Sequence, residues 1–306
     1  MTELMIVPTE DTGYFGPDSI SRRVIGDPAA GVGGIRALFL QALHPRAMAG
    51  VAQHSNFADD FWPRLRRTAE YVTTVAFGST AQADTAAAHV RRVHRMVRGV
   101  DEVTGLPYSA DDPDLLRWVH VTEVSSFLDA VRRGGLRLTD DEADEFYAEQ
   151  VTAAGLLGAT GIPASRAEVA DYLAAVRPEL RASPVAREAA VRLALPPMPV
   201  RVQLFTPARP AWAALAGLAY SLLPGWARRC YGLPGLPGTG LAATMALRGL
   251  RTAALSLPPS LTPRRQDGSQ GRNGGGENGG ARDLGQVHQN RTPSNNSSAG
   301  GPRAAR

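Results

Sequence analysis

Apolar residues that recur every three or four positions, with almost no alternation of period two, leave this chain essentially one fold class. In IRALFLQAL the side chains of Ile35, Leu38, Phe39 and Leu43 fall on one helical face. Similar spacing runs through RLRRTAEYV, HVRRVHRMVRG and LRWVHVTEVSSFL. Three or four helices from residues 35–127 are therefore expected to build one pocket. Five of the six histidines lie in that stretch, namely His44, His54, His89, His94 and His120; the sixth, His288, sits in a polar tail.

Start and stop signals divide the chain. His44-Pro45 is expected to break or kink a helix, because a residue before proline is pushed out of helical geometry. Asn56 to Asp60 reads as a turn. A helix from Phe61 has Pro63 in its first turn and closes at Gly78. The next has Thr80 as its cap and ends near Gly99, and DEVTGLPYSADDPD is a loop. Asp112-Pro113 starts another, stopped at Gly134-Gly135. Thr139 and Glu142 make a capping box for the one after. IPASRAEVADYLAAVRPEL and SPVAREAAVRLAL follow as helices, PPMPVRVQLF as a break that is briefly extended, then an apolar helix near 211–229 and a last one near 240–256. GVGG lacks the GxGxxG spacing and follows no strand, so it is read as a turn before a helix. The class is all-α: a multi-helix domain over residues 20–258, preceded by an irregular lead-in at 1–19. Residues 259–306 are too polar and Gly-rich to offset their ordering entropy and are expected to be a disordered tail.

Composition narrows the function. All 33 basic residues are arginine, and the formal net charge is +4. A GC-rich coding bias explains a lysine-free chain, and no basic patch alternates with aromatics, so nucleic-acid binding is not expected. The single cysteine, Cys230, excludes an internal disulfide and a cysteine zinc site. It fits a reducing, cytoplasmic interior, and no secretory signal is visible in MTELMIVPTEDTGYFGPDS. Ala211–Trp226 is short and proline-bounded, and reads as a core helix or, failing that, a helix in peripheral contact with a membrane surface.

The candidate chemistry lies on three helices. Arg64, Arg67 and Thr68 sit at i, i+3 and i+4 and share a face that can hold an anion through charge-assisted bonds; a solvated surface stripe is the plain alternative. His94 has Val90 and Val97 beside it, and a neutral imidazole there can ligate iron or zinc. Arg91 and Arg98 can meet acidic groups of a cofactor or simply water. His120 with Glu123 at i+3 can be a metal pair or an oriented acid–base pair. HExxH, GxSxG and a cysteine–histidine pair are all missing.

In their order, ALHPRAMAGVAQHS, FADDFWPRLRRT, AFGS, HVRRVHRMVRG and LPYSADDPDLLRWVH resemble the MpaB-type oxygenase family, related to the latex-clearing rubber oxygenases. The resemblance covers roughly residues 20–250. It implies an all-helical fold with a pocket for b-type haem, and oxygenation of an apolar substrate, isoprenoid or other unsaturated lipid, by dioxygen. It implies His94 as the iron ligand and Arg64 and Thr68 as residues on the opposite side. Arg67 stands where rubber oxygenases carry a lysine that caps the iron; arginine stays charged and is a poor ligand. His120 matches a WVH segment and His44 an HP segment of the family, which implies groups that support the iron ligand or stand on the opposite side of the cofactor. Haem or lipid binding without turnover, and a metal-dependent hydrolase built on His120 and Glu123, are the competing expectations.

Overall fold

The computed structural model describes residues 11–54 and 61–257. Among them are thirteen α-helices and one two-stranded hairpin, so the fold is all-α. The order is α1 (Ile20–Ile25), α2 (Pro28–Gln41), α3 (Pro45–His54), α4 (Phe61–Phe77), α5 (Thr80–His94), β1 (Arg98–Val100), β2 (Pro107–Ser109), α6 (Pro113–Gly134) and α7 (Asp140–Leu156). Then come α8 (Arg166–Val176), a 3-10 turn at Arg177–Glu179, α9 (Pro184–Ala194), α10 (Val200–Phe205), α11 (Ala208–Ser221), α12 (Gly225–Cys230) and α13 (Thr239–Leu255). Residues 11–19 hold no helix or strand. The turn expected at Asn56–Asp60 and the tail expected at 259–306 lie outside the described residues.

α6 is the central element. Its 22 residues make a rod of about 33 Å, capped by Asp112 with Pro113 behind it and ended by Gly135 in the left-handed region at φ 99°. α2 packs antiparallel along it. Gln41 Nε2 donates to the Val119 carbonyl at 3.2 Å, and Arg36 Nη1 donates to Ser126 Oγ at 2.6 Å. At Gly33 the backbones come closest: a Cβ there would lie 2.7 Å from the Ser126 carbonyl oxygen. The core around this pair includes Trp118, Phe146, Leu40, Leu43, Leu222 and Leu247, all fully buried.

Other helices are tied on by polar contacts at their ends. Asp27 caps α2 by accepting from Ala29 N at 2.9 Å and pairs with Arg251 of α13 at 2.7 Å. Glu149 and Gln150 of α7 hold α1 through Ser21: its N–H donates to Glu149 Oε2 at 2.7 Å, and its hydroxyl accepts from Gln150 Nε2 at 2.8 Å.

The structure corrects five readings. GVGG is not a turn but the middle of α2, where glycine permits the close approach to α6. Ser79, not Thr80, caps α5, through a capping box with Gln82. α5 ends at His94 rather than near Gly99, and the chain turns into the hairpin, pairing Gly99 with Tyr108. No residue from 95 to 100 is buried, so no apolar face drives the helix further; a Cβ at Gly99 would lie 2.7 Å from the Tyr108 hydroxyl. After its prolines, PPMPVRVQLF forms helix α10 instead of an extended break. The apolar helix near 211–229 divides into α11 and α12 around Pro224.

Two glycines of α2 separate packing from propensity. Gly31 is exposed, with nothing within 4 Å of an added Cβ, so Gly31→Ala should stabilise the fold by about 0.5–1 kcal/mol. Gly33→Ala should destabilise it by about 1–3 kcal/mol, since a backbone oxygen blocks the methyl. Thermal unfolding of both variants checks the opposite signs.

Candidate active site

α4 presents Arg64, Thr68, Tyr71 and Val75 in one stripe, because these positions are separated by three or four residues. Arg64 is half-buried, Arg67 and Thr68 are exposed, and Val75 is buried. Further along, Tyr71 packs with Val75 against Ala153 and Leu156 of α7. Its hydroxyl is fully buried and has no hydrogen-bond partner. Burial pushes the phenol's pKa up, the Glu123 carboxylate adds to this, and the Arg91 guanidinium opposes it. α4, α5 and α6 thus meet around Tyr71.

On α5, Arg91 is half-buried and donates to the Leu156 carbonyl at the end of α7. His94 follows one turn later. Burial pushes its imidazole pKa down, with Asp111 working weakly against this, so the ring is held neutral. Beside it, Val93 and Met96 are exposed, Met96 by 68%. Arg98 does not continue this face. It lies on β1 and pairs with Asp111 at 3.2 Å.

On α6, His120 and Glu123 lie one turn apart. The Gln150 backbone carbonyl lies beside the His120 ring and favours its protonated form. Nε2 is buried without a hydrogen-bond partner. Burial brings its pKa down to about 4. Desolvation raises the Glu123 carboxyl to about 7. His44 is elsewhere: it is 4% exposed and packs against Trp118 with ring centroids 5.9 Å apart. At 3.6 residues per turn, positions 118 and 120 point about 200° apart around α6. His44 and His120 therefore lie on different sides of that helix.

Of the residues singled out from sequence, Arg64, Arg67, Thr68, Arg91, His94 and His120 are carried by the three neighbouring helices α4, α5 and α6. Arg98 and His44 stand apart from the Tyr71 cluster. Sequence reasoning missed Tyr71 and the Gln150 carbonyl. Tyr71 was readable as the next member of the Arg64–Thr68 stripe; a backbone carbonyl leaves no sequence signal.

Residues 22–255 match the family model described as ER-bound oxygenase mpaB/B'/Rubber oxygenase, catalytic domain. The chain belongs to this family. Neither a comparison with curated proteins nor one with solved structures gives a match. The match to this mpaB and rubber oxygenase family spans the elements described above from α1 to α13, so the cluster of α4, α5 and α6 lies inside an oxygenase catalytic domain.

Glu123 makes the stability of this oxygenase domain depend on pH. Its folded pKa of about 7 lies above the ordinary 4.5, so the fold favours the neutral carboxyl. That contribution is complete below about pH 4.5 and is lost as pH rises through about 7. His120 acts in the opposite sense: with its pKa lowered from 6.5 to about 4, its contribution is present above 6.5 and is lost as pH falls toward 4. Glu123→Gln should therefore raise the unfolding free energy by up to about 3 kcal/mol at mildly alkaline pH and change it little below about pH 4.5. Denaturant unfolding of both proteins across that range measures it; equal shifts at both ends would mean that the carboxyl is not held neutral.

Proposed function

We propose that this chain is a haem-dependent oxygenase that acts with dioxygen on an apolar, unsaturated lipid such as an isoprenoid. The observation that carries the reading is His94: a neutral, desolvated imidazole at the end of α5, flanked by exposed apolar side chains and one turn from Arg91. A porphyrin supplies four nitrogens itself, so the protein need add only one such imidazole. The residues fit that group. A bare metal ion would need several protein ligands, and among the described residues no three His, Cys, Asp or Glu side chains are gathered for one. This gives the hydrolase reading no support.

Bound haem iron would supply the redox chemistry with dioxygen. The chain's own residues would do the rest. Arg64 and Thr68 are hydrogen-bond donors on the α4 stripe; the guanidinium keeps its charge at any working pH and can stabilise negative charge that develops on the reacting oxygen. Arg67 adds positive charge but cannot take the lysine's place as a neutral amine ligand. Arg91 holds α5 to α7 and would supply a cation to the cofactor's acidic groups. The Tyr71 hydroxyl stays protonated, and the Glu123 carboxyl can hold or release a proton near neutral pH. His120 brings a neutral imidazole whose buried Nε2 is unpartnered and open to a bound group. Val93 and Met96, exposed beside His94, offer an apolar surface that favours an apolar substrate. His44 and Arg98 have no part in this reading.

The absorption spectrum of the purified protein tests it. The wild type should show a Soret band, on isolation or after hemin titration, and should take up oxygen when an unsaturated lipid is added. His94→Ala should lose the band. Arg64→Ala and Thr68→Ala should keep it while uptake falls by about 10²–10³-fold. A protein that stays colourless through the titration defeats the proposal. A Soret band without uptake across a panel of alkenes would instead mark a haem binder.

A further inference from the structure

Between Glu188 and Leu257 the chain contains seven arginines and no Asp or Glu. The same stretch exposes large apolar side chains, most of all on α10. Val200 is 68% exposed, Leu204 71% and Phe205 82%. At 3.6 residues per turn, Val200, Arg201, Leu204 and Phe205 fall within an arc of about 140°. Val202 and Gln203, both half-buried, point the other way. α10 therefore turns its apolar side outward and its inner side toward the protein, the reverse of an ordinary surface helix.

The segment is anchored in this position. Trp62 Nε1 of α4 donates to the Pro197 carbonyl at 2.7 Å, and Trp212 Nε1 of α11 donates to the Leu193 carbonyl at 2.8 Å. Gln203 Nε2 donates to the Met198 carbonyl at 2.6 Å and its Oε1 accepts from Arg209 at 2.7 Å. The Trp62 bond sets α10 beside the start of α4, the helix that carries Arg64 and Thr68.

We propose that α10 docks on an anionic bilayer, with Val200, Leu204 and Phe205 entering the apolar edge and Arg201 meeting lipid phosphates. Charge decides the occupant. A second copy of the same face in a two-fold contact would bring Arg201 against a segment that has no Asp or Glu of its own between Glu188 and Leu257, whereas a phospholipid surface offers both the apolar layer and the compensating anions. Among the described residues no helix is long and apolar enough to cross a membrane, so the contact lies at the surface. A lipid leaving the bilayer at α10 would arrive next to α4. The docking does not depend on haem, and its test reads vesicle binding alone.

The full-length protein is sedimented with vesicles of phosphatidylcholine and with vesicles of phosphatidylcholine and phosphatidylglycerol. It should bind the anionic vesicles and bind the neutral ones more weakly. The double variant Leu204→Ser, Phe205→Ser should bind at least about tenfold more weakly. Arg201→Ser should lose about fivefold on anionic vesicles and nothing on neutral ones. Circular dichroism and thermal unfolding should match the wild type, since all three side chains are exposed. Wild type that stays in the supernatant with both vesicles overturns the proposal, as does a double variant that binds undiminished. A wild-type dimer that the double variant converts to monomer without any vesicle binding assigns the face to a second copy and also overturns it. Adding hemin should leave every result unchanged.

Discussion

The backbone contact between α2 and α6 is the constraint on which the rest of the molecule depends. Glycine at position 33 lets the two helices approach until there is no room for a methyl group, and Arg36, one turn away, fills the seam with a buried charge. Its Nη1 bonds Ser126 and its Nε donates to the Leu222 carbonyl at 3.1 Å, while Asp129 lies at 3.5 Å. A buried cation is tolerated only where such acceptors surround it. One side chain thus joins α2, α6 and the end of α11, and fixes the rotation of α6 about its own axis.

That rotation has consequences on the far side of the helix. With Trp118, Val121 and Ser125 turned into the core, Leu116, His120 and Glu123 face α7 and α4. Leu116 packs with Ala154 and Ala159, which brings the Gln150 carbonyl to the His120 ring. The polar group set beside the imidazole belongs to the backbone of a capped helix rather than to a mobile side chain. Burial then sets the protonation of the cluster: the low-dielectric interior disfavours charge on His120 and on Glu123 alike.

Local rules carried most of the fold. Asp112-Pro113, the Thr139–Glu142 box and His44-Pro45 each act within one turn of the chain, and each appears where the sequence puts it. Three readings failed because a distant segment decides them. GVGG suggests a turn until α6 lies against it, α5 stops at His94 because the strand at Pro107–Ser109 captures the next residues, and the residues after Pro199 become helical where the prolines suggested extension. For the candidate site, arginines and histidines announced themselves by residue type and spacing. The polar group set beside His120 is a carbonyl, which every residue has, and the weight of Tyr71 comes from burial across α7, which no spacing in α4 encodes.

The absence of lysine gives the cluster its chemical division of roles. Lysine can lose its proton when buried and serve as a neutral amine; arginine does not. Every basic side chain near Tyr71 is therefore a fixed charge, and neutral nitrogen bases have to come from histidine. Burial depresses the imidazoles of His44, His94 and His120, and two of these three belong to the helices that adjoin α4. With the arginines locked as cations and the tyrosine locked as a donor, the group of this cluster that changes charge near neutral pH is Glu123. Any proton that this arrangement exchanges with a bound molecule close to neutrality should therefore pass through that carboxyl.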